Sequence, residues 1–123
     1  MNKPVRSYQD LMAWQKAVDL VTEIYQISHK FPREELFALT SQLRRAAISV
    51  PSNIAEGQGR SSRKEFLYFL GNAKGSLSEV ETQILIARNL GYIGEEALNA
   101  LLNLSAEVGR ILNGLLASLR NKK

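Results

Sequence analysis

The chain has 123 residues, 45% hydrophobic and 23% charged, with a net charge of +4. That length bounds it to one domain with a single modest core, and the absence of cysteine excludes a disulfide framework and a thiolate metal site. No apolar run approaches the roughly 20 residues that a membrane span needs, and Met1 to Asp10 lacks the apolar stretch of a signal peptide, so a cytoplasmic protein with no membrane partner is expected.

The first predicted helix covers residues 8–29. Leu11, Trp14, Val18, Val21 and Tyr25 recur at three- and four-residue steps and stack on one face. Ala13, Ala17, Leu20, Ile24 and Ile27 make a second stripe beside it. Phe31-Pro32 ends this helix, because proline disfavours a helical conformation in the residue before it. The second helix spans residues 33–58, with Glu34 and Glu35 in its first turn, where acid complements the helix dipole. Its apolar face is Leu36, Leu39, Leu43, Ala47, Val50 and Ile54, and Gly57-Gln58-Gly59 closes it.

The third helix covers residues 62–90 and opens on Ser62-Arg63-Lys64-Glu65, a capping box. Phe66, Leu70, Ala73, Leu77, Val80, Ile84 and Ala87 share one face, and Leu90-Gly91 forms a left-handed cap. The fourth covers residues 95–119, with Leu98, Leu101, Leu102, Val108, Leu112, Leu115 and Leu119 as its seam and Leu104, Ile111 and Leu116 off it. No segment alternates like a strand, and no repeat or linker stands out. The expected fold is all-α: an antiparallel up-down-up-down four-helix bundle filling residues 1–123 as a single domain.

Pro51 falls inside the second helix. It has no amide to give the carbonyl of Ala47, and its ring crowds that turn, at a usual cost of ~3 kcal/mol. The helix either ends near Val50 and restarts, with Asn53 and Glu56 as a second capping box, or runs through with a kink. The apolar positions keep helical phase across the proline, which favours one kinked helix. Ser49, Ser52 and Asn53 are placed to bond the freed carbonyls or recruit water.

The run Gln42-Leu43-Arg44-Arg45-Ala46-Ala47, followed by Ser49-Val50-Pro51-Ser52-Asn53-Ile54-Ala55-Glu56-Gly57, resembles the signature of the four-helix-bundle family of 23S rRNA intervening-sequence proteins. Tyr8, Leu11 and Trp14 resemble the family's opening, Phe31-Pro32 with Glu34-Glu35 its first turn, and Gly75-Ser76-Leu77 with Glu79 and Glu81-Thr82-Gln83 its third helix. Gly94 departs from it, since relatives often place a serine cap there. The resemblance implies a bacterial antiparallel bundle that assembles as a homopentamer. It also implies a structural role for Arg44, Arg45, Ser49, Pro51, Asn53, Glu56 and Gly57. A related protein, the accessory variability determinant of diversity-generating retroelements, binds a reverse transcriptase and nucleic acid. For the intervening-sequence proteins themselves no activity is implied.

The residues offer little for catalysis. The sole histidine, His29, ends the first helix, where a cation suits the dipole. A carboxylate di-metal bundle needs two Glu-x-x-His units, and the sequence contains none. Gly57-Gln58-Gly59-Arg60-Ser61-Ser62 mimics a dinucleotide fingerprint, but its last glycine is serine and no strand precedes it. Glu79 and Glu81 lie two apart and point to different sides of a helix. Neither an enzyme, a metal site nor a cofactor is expected.

Charge is more informative. Alternating helices bring the N-terminus, the second corner and the C-terminus to one pole, gathering Lys3, Arg6, Arg60, Arg63, Lys64, Arg120, Lys122 and Lys123. The other pole sets Lys30, Arg33 and Arg88 against Glu34, Glu35, Glu95 and Glu96. Free amides and basic side chains at the start of the third helix can hold an anion; the plainer reading is that these cations only solvate an exposed corner. Arg44 and Arg45 are candidates to pair with Glu56 or Glu79 across a subunit boundary. Gly71 and Gly75 leave a flat strip that another helix could approach. Two functions follow: an RNA-binding oligomer that contacts phosphate through the basic pole, or an adaptor that recognises a protein partner.

Overall fold

The computed structural model describes residues 7–121. A short 3-10 turn, Tyr8–Asp10, precedes α1 (Met12–Ser28). A second 3-10 turn, Arg33–Glu35, precedes α2 (Leu39–Gln58), and α3 (Arg63–Asn89) and α4 (Glu95–Arg120) complete the fold.

The first predicted helix is thus two pieces. Leu11 is extended, at φ −79° and ψ 125°, and separates them. The Ser7 hydroxyl accepts the amide of Gln9, offering the backbone a local bond that competes with the helix. Edge-to-face packing of Tyr8 on Trp14, with centroids 5.2 Å apart, folds the turn back on α1. The second predicted helix also starts late. Pro32 is extended, and Ala38 reverses the chain at φ −124° and ψ −106° before α2 begins at Leu39. Glu35 therefore caps α2 from outside: its Oε1 accepts the Leu39 amide at 3.3 Å.

Past that point α2 runs unbroken through Pro51, which excludes the reading of two helices. Asn53 donates its Nδ2 to the Ser49 carbonyl at 2.8 Å and to Ser49 Oγ at 2.9 Å. The Ser49 and Ser76 hydroxyls bond at 2.8 Å, tying α2 to α3 beside the proline. The Asn53 side chain thus serves the Ser49 carbonyl rather than that of Ala47.

The start of α3 follows the sequence reading, with Ser62 Oγ accepting the Glu65 amide at 3.1 Å. So does its end. Gly91 is left-handed at φ +79°, and the Tyr92 amide reaches back to the Ala87 carbonyl at 2.9 Å. Gly94 precedes α4 without a side-chain cap.

The pairs that touch fix the direction of each helix. Ser49 meets Ser76 and Gly57 meets Phe66 and Phe69, so α2 and α3 run oppositely. Glu81 accepts a hydrogen bond from Ser105 Oγ, and Leu77 lies against Gly109, so α3 and α4 do too. Lys16 faces Glu107, while Ile27 and Ala97 line one cleft, which sets α1 against α4 in the same way.

The core follows one stripe per helix, not always the one expected. In α1 it is Ala13, Ala17, Leu20 and Ile24; Trp14, Val18 and Val21 are half-buried beside it and Tyr25 is exposed. Two alanines let the neighbouring helices come close, which turns the bulkier stripe to the flank. In α4 the seam is Leu98, Leu101, Ser105, Val108, Leu112 and Leu116, with Leu102, Leu115 and Leu119 flanking. Ser105 holds a seam position because its hydroxyl has a carboxylate, Glu81, 2.7 Å away. The faces expected for α3 from Leu70 onward, and for α2 from Leu43 onward, are buried; Phe66 is half-buried and Leu36 exposed.

Candidate functional site

The antiparallel pairings carry the beginning of α3 and the end of α4 to one extremity. Arg60, Arg63, Lys64 and Arg120 gather there and are all exposed. Lys3, Arg6, Lys122 and Lys123 lie outside the described residues.

Arg60 is already engaged. It pairs with Glu56 Oε2 at 2.8 Å and Glu65 Oε2 at 3.8 Å, and its guanidinium sits 4.9 Å from the Phe69 ring centroid. It closes the α2–α3 corner; Arg63, Lys64 and Arg120 are the other described cations of this pole. The i,i+4 spacing of Glu56 and Arg60 carried that signal, since such pairs face each other on a helix. Glu65 also accepts a hydrogen bond from Ser62 Oγ. Gly57 is what allows the corner to be so tight: a Cβ built there would lie 2.8 Å from the Phe69 Cβ.

A groove of about 740 Å³ opens beside this corner. Tyr8 and Trp14 form one wall, Pro51, Ala55 and Gly59 the other, and Arg60 reaches its rim. Motif residues therefore shape a surface as well as a helix.

The other motif arginines divide. Arg44 works inside the chain: its Nε donates to Ser28 Oγ at 2.9 Å, and its guanidinium lies 4.5 Å from the Tyr25 ring centroid. It binds α2 to α1 within the chain. Arg45 is exposed and lines a polar cleft of about 300 Å³ between α2 and α3, shared with Gln42, Glu79 and Gln83. Gln83 Oε1 is buried there with no hydrogen-bond partner among the described residues. Gly71 and Gly75 face open space: among the described residues no atom beyond their own stretch of helix lies within 4 Å of either built Cβ, so none of the described helices packs on that strip.

At the opposite pole the organising group is Glu35, which sequence reasoning placed in a first helical turn. Its Oε2 accepts the Tyr92 hydroxyl at 2.7 Å, while Oε1 holds the α2 amide. That hydrogen bond, together with desolvation and the charges of Glu35 and Glu34, raises the Tyr92 phenol above its ordinary value of 10. Phe37 stands almost wholly exposed nearby in the chain, at 93%. Among the described residues no cluster of three or more His, Asp or Glu is placed to hold a metal ion, and no helix is long and apolar enough to cross a membrane.

Comparison with known proteins gives a consistent picture. The family model described as 23S rRNA-intervening sequence protein matches residues 9–114. Among solved structures, the chain is similar to a protein of unknown function from the S23 ribosomal protein family of Bacteroides thetaiotaomicron, with a TM-score of 0.79 at 23% identity. The match covers 85% of this chain and 95% of that one, and at this identity it speaks for the fold. No protein with a curated description matches.

Proposed function

We propose that this chain, which belongs to the 23S rRNA-intervening sequence protein family, is a non-catalytic, homo-oligomeric cytoplasmic bundle that binds RNA through its basic pole. The observation that carries this reading is that Arg63 and Lys64, at the start of α3, and Arg120, at the end of α4, lie at the same extremity of two antiparallel helices. Lys122 and Lys123 follow Arg120 closely in the sequence and add to the charge available. Amides of the α3 first turn support phosphate contact there. Such contacts hold backbone and carry no sequence information. Binding through phosphate is therefore expected to be largely indifferent to sequence and steeply weakened by salt.

The test is a triple charge reversal, Arg63→Glu with Lys64→Glu and Arg120→Glu, titrated against a fluorescent single-stranded RNA. Arg60 is left in place because it closes the corner. The expected result is at least a tenfold loss of affinity at low salt. The dependence of log affinity on log salt should also become shallower, by about 0.7 for each phosphate that is no longer neutralised. Affinity unchanged by the triple reversal sinks the reading. Five subunits is the number expected from the family resemblance, and native mass spectrometry with and without RNA measures it.

A second reading, a protein adaptor, draws on the groove walled by Tyr8, Trp14 and Pro51 and on the exposed Met12 and Tyr68. Under it the triple reversal changes nothing, and substitution of Trp14 abolishes association with the partner even after nuclease treatment.

A further inference from the structure

The corner between α1 and α2, far from the basic pole, holds a pocket of about 250 Å³. Ser28, His29, Arg33, Thr40 and Arg44 line it together with apolar groups, and no Asp or Glu does. Both arginines keep their charge at any physiological pH. The lining is therefore cationic; Glu35, whose Oε1 holds the Leu39 amide next to Thr40, lies outside it.

Two further features mark it as built. Arg44 is held in place by its Nε bond to Ser28 Oγ at 2.9 Å and by its stacking over Tyr25. Neither contact uses its two Nη groups, the part of the fork that pairs with oxyanions. Thr40 is 3% exposed, yet its Oγ1 has no hydrogen-bond partner among the described residues. Buried hydroxyls are ordinarily satisfied, and an oxyanion in this pocket supplies an acceptor. The end of α1 and the beginning of α2 meet here with opposite dipole ends, so their fields largely offset one another and the side-chain cations decide the sign.

We propose that this pocket binds a phosphate-type oxyanion, with Arg33, Arg44 and His29 around it and the Thr40 hydroxyl turned to it as a donor. Two guanidiniums with no carboxylate in the lining suit a dianion better than a single carboxylate. The volume leaves room for a small substituent on the phosphorus, so a phosphate monoester fits as well as the free ion.

Amide chemical shifts followed during titration with inorganic phosphate, against sodium chloride at equal ionic strength, test this. The expected result is saturable shifts confined to residues 28–44, absent with chloride. Arg33→Gln, an exposed substitution, is expected to weaken binding at least fivefold. Thr40→Val removes only the partnerless hydroxyl and is expected to weaken it about threefold with no loss of thermal stability. Shifts that scale with ionic strength, that appear equally with chloride, or that survive both substitutions unchanged overturn the proposal. A 5′-phosphorylated dinucleotide compared with its 5′-hydroxyl form then separates the sources: tighter binding of the phosphorylated form than of inorganic phosphate identifies a monoester, and equal or weaker binding identifies the free ion.

Discussion

The two ends of the bundle are closed in different ways. At the α2–α3 corner the closure is steric. Gly57 lets α3 approach until Phe66 and Phe69 lie where a side chain would otherwise be, and Arg60 fastens the outside with two exposed ion pairs. At the opposite end the closure is a polar staple. Glu35 bonds the first amide of α2 with one oxygen and the Tyr92 hydroxyl with the other, so one carboxylate joins both connections at that pole. A tight corner keeps its neighbouring surface available, and here that surface is cationic. A stapled corner holds longer connections, and the Arg33–Arg44 pocket lies within the first of them, between α1 and α2.

The largest expected effect breaks the steric corner. Gly57→Ala places a methyl 2.8 Å from a backbone-anchored Cβ, and a loss of about 2 kcal/mol in urea unfolding is expected from overpacking. Gly75→Ala is its control, since that Cβ meets open space; a gain of roughly 0.5–1 kcal/mol is expected from helix propensity. If both substitutions destabilise alike, the steric account of the corner is wrong.

Next is the staple. Tyr92→Phe removes the bond to Glu35, and a smaller fall in melting temperature than for Gly57→Ala is expected. The phenol also makes the staple sensitive to alkali. Its folded pKa lies above 10, so the folded state retains the proton where the unfolded state loses it. The contribution is complete below the unfolded value and fades as pH rises from about 10 through the folded value. Melting temperature should therefore drop more steeply above pH 10 in the native chain than in Tyr92→Phe. Parallel curves would show that Tyr92 contributes nothing to pH dependence.

The smallest effect concerns Arg60. Its ion pairs are exposed, and pairs of that kind contribute about 0–1 kcal/mol. Arg60→Gln is expected to cost no more than about 0.5 kcal/mol by thermal unfolding and to lower RNA affinity far less than the Arg63, Lys64 and Arg120 reversal. An equal loss of affinity would place Arg60 in the interface and not in the corner.

Much of this was legible in the chain. Ser62 and Gly91 act where their chemistry says they should, and the face of α3 is the one its spacing marks. That the start of α3 and the end of α4 share one extremity follows from alternating helices alone. Other features were hidden for physical reasons. Glu35 and Tyr92 are 57 residues apart, and nothing local announces their bond. Nor does any local pattern announce the bond of Arg44 to Ser28, which sits on another helix. In α1 two stripes of similar hydrophobicity competed, and only close packing against neighbours chose the alanine-bearing one.

The sequence by itself determined that the chain makes four long helices and marked several of their ends, because helical periodicity and capping act within a few residues. Only the tertiary structure decided how each helix is rotated about its axis, and hence which stripe is core, which cations fasten the fold and which line an exposed pole or a pocket. Those choices depend on contacts between residues distant in sequence, whose energies no local pattern encodes.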